Sequence, residues 1–287
     1  MSVVPDPTTL SSFNGRIAME YSKRPVAFVM TATHHGSMLV NRHDYRLTPN
    51  GGYGVGFQLL NHSAFDPDEI TVALQLLQLR RQHFGDGVIA IDCGANIGVH
   101  TIEWAKALYG WGEVISVEAQ ERVFYALAGN ITLNNCFNAR AIWAAVGEKN
   151  GSIDVPEPDY FKPSSFGSLE IKPGAHNEFI GQTLDYSAAG TIKTRMLAID
   201  GLGLQRLDFI KIDIEGMEME ALRGAKQTLT RCKPQLIIEK IKSDEAAITA
   251  FVSALGYKTF TLGINILAIH HTDPSLAAVT PHPPAQS

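Results

Sequence analysis

Four carboxylates stand at the ends of apolar runs: Asp92 in "VIAIDCGANIGVHT", Glu118 in "EVISVEA", Asp213 in "LDFIKIDIEGMEMEALRGA" and Glu239 in "PQLIIEK". Burying an ionised carboxylate is costly unless a partner or ligand compensates it, so acids in such places mark candidate chemistry. Asp213 and Glu239 close two strands expected to end at one crevice. Either can accept the proton of a hydroxyl nucleophile, whose high pKa calls for a positioned base, and Glu215 lies just beyond Asp213 as a third candidate. Asp92 and Glu118 border a different device, the turn G-A-N-I-G of residues 94–98. Glycine at 94 and 98 lets a backbone approach a ligand closely.

Asp92, at the entrance to that turn, discriminates between ligands. A dinucleotide site uses G-x-G-x-x-G and rests a pyrophosphate on a helix N-terminus. Here the middle glycine is missing, and a carboxylate would repel the pyrophosphate. An ammonium and a sulfonium suit the same carboxylate, which points to S-adenosylmethionine (SAM). Glu118, about 20 residues further on, is placed to accept hydrogen bonds from both hydroxyls of a ribose. The plainer alternative is that Asp92 and Asn96 bond only turn amides and the glycines only bend the chain.

The elements that must position these groups follow from hydrophobic patterning. From Val88 onward, short wholly apolar runs alternate with amphipathic segments, the signature of a mostly parallel sheet covered on both faces. Strands are expected at "VIAIDC", "EVISVEA", "ARAIWAAVG", "LDFIKIDI" and "PQLIIEK", with helices between them, one running from the fourth strand through Leu229. A terminal β-hairpin is expected around Gly263. Residues 1–65 read as a β-like extension with hairpins at Asn-Gly-Gly, 66–272 as the main domain and 273–287 as a flexible tail. Asp66 is the expected N-cap, and Pro67 the first residue, of a helix over 66–84. Residues 148–195 read as a loose region.

Composition narrows the classes. The 287 residues are 45% apolar and 18% charged, and the net charge is −5. These are globular values, and the absence of a basic footprint argues against a nucleic-acid or anionic-membrane binder. No signal peptide is read at "MSVVPDPTTLSS", and three scattered cysteines suggest reduced thiols, so a cytoplasmic setting is expected.

"IDCGANIGVHT", "VEAQ", "NITLNN", "AAVG" and "LDFIKIDIEGMEMEALRGA" together, in that order, resemble the FkbM family of SAM-dependent methyltransferases, over about residues 85–270. The resemblance implies a Rossmann-like class I methyltransferase fold, a seven-stranded sheet ending in an antiparallel hairpin. It also implies O-methylation of a hydroxyl on a sugar, polyketide or other secondary metabolite. By that resemblance Asp92, Gly94, Asn96 and Gly98 hold the methionine end of SAM and Glu118 the ribose, while Ala145, between Trp143 and Val146, lies near the adenine. Two departures stand out: His100 where the family more often has an aromatic, and Ala119-Gln120 in place of Glu-Pro. Neither removes a charged contact.

Several residues have bland readings beside functional ones. Glu215 and Glu218 in the first turn of a helix favour its macrodipole by about 0.3–1 kcal/mol each. Glu220 reads as solvated face, and Lys211 as the partner of a neighbouring acid. Asp92, Asp213, Glu215 and Glu239 could instead hold magnesium, a use ranked below base catalysis. His34, His35 and His62 read as surface or half-buried polar groups before ligands. Tyr160, Phe161 and Phe166, in the segment 157–179, could stack on a substrate ring or pack the loop down. Residues 1–65 could form a lid, a substrate contact or a dimer contact. Two rival functions remain at this level: an NAD-type oxidoreductase, and a non-catalytic methyltransferase-like binding protein. The expected partner is a small hydroxylated molecule.

Overall fold

The computed structural model describes residues 24–49, 51–174 and 177–279. The chain opens with two hairpins, β1 (Phe28–Thr33) with β2 (Gly36–Asn41), and β3 (Arg46–Thr48) with β4 (Gly51–Tyr53). It continues through α1 (Val55–His62) and α2 (Pro67–Phe84) into the main sheet. The hairpins match the β-like reading, but α1 does not. Val55 and Leu59 are buried one helical turn apart, and that period outweighs the turn-rich composition before it. Residues 1–23 and 280–287, parts of the expected extension and tail, lie outside the described residues.

The main sheet begins with β5 (Val88–Cys93), α3 (Val99–Ala107), β6 (Gly112–Glu118), α4 (Glu121–Leu133) and β7 (Ala139–Trp143). At Ala144 the chain leaves this sheet and forms β8 (Ala145–Val146), which pairs in a smaller sheet with β9 (Gly151–Pro156) and β10 (Thr191–Leu197) in the order β8-β10-β9. It then returns through β11 (Phe209–Ile212), α5 (Glu218–Gly224), α6 (Lys226–Cys232), β12 (Gln235–Glu239) and α7 (Glu245–Ala254) to the hairpin β13 (Tyr257–Leu262) and β14 (Asn265–His270). The seven strands lie in the order β13-β14-β12-β11-β5-β6-β7. β14 runs antiparallel to β12 and β13, while β12, β11, β5, β6 and β7 are mutually parallel. The expected fold class, including the antiparallel terminal hairpin, is the one observed.

Alternation along β5 explains its wholly apolar character. Val88 and Ala90 join one core with α2, α3 and α4, while Ile91 joins the other, against α5, α6 and α7. A strand covered on both faces has no solvated side to mark with polar residues. The chain winds outward from β5 through β6 to β7, then crosses back to β11 on the other side of β5. That reversal is a switch point, where the carboxyl ends of open sheets leave a crevice.

Two sequence expectations need correction here. The helix after β11 is broken at Ala225 into α5 and α6. The region 148–195 is not loose throughout, since β9 and β10 pair over six positions from Thr191↔Pro156 to Met196↔Gly151. Their separation in sequence and the exposed alternation of "TIKTRML" hid that pairing.

The N-terminal segment is welded to the sheet domain. Asn130 of α4 accepts the Leu39 amide at 2.6 Å and donates to the carbonyls of Leu39 and Ile97. Asp44 accepts the amides of Gly56 (2.9 Å) and Phe166 (3.0 Å), and burial raises its carboxyl to about 6. His35 accepts the Phe65 amide through Nε2 and lies 3.3 Å from Glu103 through Nδ1, a structural pin rather than a ligand. On the opposite face, buried Arg80 of α2 meets Asp208 at 3.1 Å and Asp273 at 2.9 Å. Asp273 also caps the 3-10 turn Pro274–Ala278 by accepting the Ser275 amide.

Candidate active site

A cavity of about 360 Å³ opens at the switch point, where the carboxyl ends of β5, β6, β11 and β12 converge. Asp92, Gly94, Asn96, Glu118, Ala145, Asp213, Glu215 and Glu239 all contribute to its walls. The volume lies within the range of small-ligand sites, about 300–1,000 Å³.

At one end the glycine turn is locked by its neighbours. Gly94 has φ +79°, and a Cβ placed there would fall 1.8 Å from the Asp213 carbonyl oxygen. No side chain fits, so the backbone of β5 runs directly against that of β11. Gly94→Ala is therefore expected to push the two strand ends apart, abolish ligand binding in the cavity and lower stability by about 1–3 kcal/mol, as read by calorimetry and urea unfolding. Asn96, also left-handed at φ +50°, donates its amide to Glu118 Oε2 at 2.9 Å, and the Gln120 amide reaches Oε1 at 2.8 Å. Glu118 is buried, and desolvation pushes its carboxyl up to about 7 despite these amides. Asp92 accepts the Thr101 hydroxyl at 2.7 Å, and burial raises its pKa as well. Gly98 departs from expectation. It is absent from the cavity walls, and its left-handed conformation before α3 gives room to Leu127, whose Cδ1 would stand 2.6 Å from an added Cβ.

The other end collects the carboxylates that follow β11 and β12. Asp213 is bound to Lys211 at 2.7 Å, confirming the pairing expected for that buried lysine. Burial opposes the Lys211 charge, but Asp213, Glu69 and Asp92 hold the ammonium firmly protonated. Glu215 is not in a helix. It is left-handed (φ +56°), three residues before α5 begins, and stands 2.7 Å from Lys242. Burial, aided by the charge of Asp213, raises its pKa. Glu218 does begin α5, but its carboxylate turns back to accept the amides of Ile214 and Gly216 and the Ser243 hydroxyl. It clasps the loop that carries Asp213 and Glu215, which is more than a dipole effect. Glu220 pairs with Lys172.

Glu239 differs from the rest. It is 6% exposed, and its Oε2 has no hydrogen-bond partner among the described residues. Burial, then the charges of Asp213 and Glu218, push its carboxyl up to about 7. Both ring nitrogens of His100, also 6% exposed, are likewise unpartnered, and burial keeps this imidazole neutral. The magnesium arrangement does not assemble: among the described residues no group of three or more His, Cys, Asp or Glu is placed to hold a metal. Two of its four proposed ligands are instead engaged by lysine ammoniums.

The segment 157–179 does reach the cavity, but not through its aromatics. Tyr160 and Phe166 are buried against each other, with ring centroids 4.9 Å apart, and Phe161 faces solvent. Ser165, Gly167, Ser168, Leu169 and Ile171 line the wall instead. Tyr53 and Gln58 from the N-terminal segment line it too. Lys242 fastens this cover by bonding the Ser168 carbonyl (2.8 Å) and pairing with Glu178 (3.0 Å), which also accepts the Tyr53 hydroxyl (2.8 Å). Sequence reasoning missed Lys242, Glu178 and Tyr53 because their partners are distant in sequence. The one signal for His100 was its departure from the family's aromatic.

The strand order and the acid-bordered turn define the class: a Rossmann-like class I methyltransferase fold. The family described as the methyltransferase FkbM domain matches residues 92–259, more than half of the chain, and the chain belongs to that family. Curated relatives include Methyltransferase sdnD of Sordaria araneosa, 24% identical over 52% of this chain and 64% of that protein. Methyltransferase 1 of Beauveria bassiana is 25% identical over 49% of this chain and 59% of its own length. The chain thus spans less than two thirds of either relative. Among solved structures, the chain is similar to methyltransferase FkbM from Methylobacillus flagellatus KT, at 20% identity and a TM-score of 0.45 over 67% of this chain and 48% of that one. Among the described residues no helix is long and apolar enough to cross a membrane.

Proposed function

We propose that the protein is a SAM-dependent O-methyltransferase acting on a hydroxyl of a small molecule such as a sugar, polyketide or other secondary metabolite. The observation that carries this reading is that one cavity joins the acid-bordered glycine turn to a buried, unpaired carboxylate, Glu239 Oε2. The residues present fit SAM: Gly94 brings bare backbone to the cavity wall beside Asp213, Asp92 suits an ammonium, and Glu118 retains acceptor capacity for ribose hydroxyls. Asp92 at the entrance to the turn disfavours a pyrophosphate, which supports SAM over NAD. When bound, SAM supplies a methyl group already activated by its sulfonium.

The chain's own contribution is then alignment, exclusion of water and removal of one proton. Glu239 Oε2 takes the proton of the acceptor hydroxyl as the new C–O bond forms. Asp213, tied to Lys211, holds that ammonium in place rather than acting as the free base. The cover fastened by Lys242 keeps solvent from the reacting atoms. A cytoplasmic setting accords with three free cysteines, two of them buried.

Glu118→Ala is expected to weaken SAM binding about 10–100-fold, since charge-assisted hydrogen bonds contribute roughly 1.5–3 kcal/mol; titration calorimetry reads it. The activity itself is tested by incubating the protein with methyl-deuterated SAM and a panel of hydroxylated metabolites. Mass spectrometry should find the label as an ether on oxygen. Label on nitrogen or carbon alone would refute O-methylation.

A further inference from the structure

The acceptor end of the cavity holds more carboxyl groups than its lysines answer. Lys211 is matched to Asp213 at 2.7 Å, and Lys242 to Glu215 and Glu178 at 2.7 and 3.0 Å. Among the described residues, Glu239 and Asp66 form no ion pair, although both line the cavity. Asp66 was expected to cap α2, but its side chain makes no capping bond. Its backbone is left-handed (φ +40°), and the residue forms part of the cavity wall. Behind them, Glu69 gives one oxygen to Asn265 at 2.7 Å, while its Oε1 is buried without a hydrogen bond, 3.8 Å from His100 Nε2 and 3.9 Å from Lys211 Nζ.

Unpartnered polar groups therefore converge on this end from three elements: Glu239 from β12, His100 from α3 and Glu69 from α2. Buried polar atoms of this kind are normally satisfied, so a ligand that donates hydrogen bonds is the economical partner. The mouth beside them is apolar. Ile241 and Ile264, 62% and 52% exposed, line the rim, and Phe65 lines the wall.

Resting on the O-methyltransferase reading, we propose that the acceptor is an amino alcohol on a largely apolar skeleton. Its hydroxyl meets Glu239, its neighbouring ammonium is held by the surplus carboxylates at Asp66 and Glu239, and its skeleton lies on Ile241, Ile264 and Phe65. His100, neutral and with a free ring nitrogen, accepts one ammonium N–H. Acceptors carrying a carboxylate or phosphate beside the hydroxyl are excluded by the same charges, since like-charge contact in a partly desolvated cavity is strongly unfavourable.

The test uses the full chain saturated with S-adenosylhomocysteine and three matched probes: trans-2-aminocyclohexanol, trans-cyclohexane-1,2-diol and trans-2-hydroxycyclohexanecarboxylate. Dissociation constants are read by ligand-observed NMR. The amino alcohol should bind about tenfold or more tighter than the carboxylate, with the diol between them, and the doubly neutralised Asp66→Asn/Glu239→Gln protein should lose most of that preference. Equal or tighter binding of the carboxylate, a preference unchanged in the double variant, or no binding of the amino alcohol would each overturn the proposal. Calorimetry with S-adenosylhomocysteine comes first. Protein that takes none of it refutes the donor reading as well, whereas protein that takes it but prefers the carboxylate refutes only the acceptor class.

Discussion

Glu239→Gln should lose turnover about 10²–10⁴-fold, the usual contribution of a positioned general base, while SAM affinity changes little. The amide keeps the shape of the side chain and removes its basicity. Glu239 is singled out because its Oε2 is buried and unpaired, whereas Asp213 and Glu215 each stand 2.7 Å from a lysine. Burial pushes the Glu239 carboxyl up to about 7, so the base is protonated and idle in acid. The wild-type rate should accordingly rise about tenfold per pH unit up to neutrality and level off above it, and the variant's residual rate should lack that limb. Stability has the opposite sign. A carboxyl raised in the folded state makes that state bind more protons than the unfolded chain, so its contribution falls as pH rises from the ordinary carboxylate range to about 7. The Gln variant should therefore be at least as stable as wild type at pH 8. A variant with full turnover and an unchanged pH profile would remove Glu239 from the reaction.

Arg80→Met should cost about 3–5 kcal/mol of folding stability, the range for breaking a buried ion pair by removing one partner. The guanidinium of Arg80 joins α2 to Asp208 before β11 and to Asp273 after β14, bridging three segments far apart in the chain. Asp208 retains Arg206 at 2.7 Å and the Ile89 amide, so most of the loss falls on Asp273, left with Gln235 and its turn. Urea unfolding at neutral pH measures the loss. The double variant Arg80→Met/Asp273→Asn should recover a large part of it, because the stranded charge is then gone. A loss below about 1 kcal/mol would place this pair with exposed ones.

The parallel strands and the terminal hairpin were legible because strands buried on both faces must be continuously apolar, and because Gly263 can take the left-handed turn between β13 and β14 (φ +56°). The donor end was legible for a related reason: Gly94, Asn96 and Glu118 fall at the carboxyl ends of the adjacent strands β5 and β6, where the Asn96 amide meets the Glu118 carboxylate. Gly98 looked equivalent to Gly94, but spacing alone cannot tell a glycine on the cavity wall that admits the Asp213 carbonyl from one behind it that admits Leu127. The acceptor end was only half visible. Asp213 and Glu239 could be placed at strand ends, but which one stays unpaired depends on Lys211 and Lys242. The cover was read from its aromatics, yet Tyr160 and Phe166 hold it down while small residues face the cavity. The cover's ties, Tyr53 to Glu178 and Glu178 to Lys242, cross from one end of the chain to the other and leave no local pattern.

The most direct test of the account is a calorimetric titration of the purified full chain with SAM, and in parallel with NAD. SAM should bind one per chain, Gly94→Ala and Glu118→Ala should abolish or sharply weaken that binding, and NAD should give no heat. Binding of NAD with none of SAM would contradict the account.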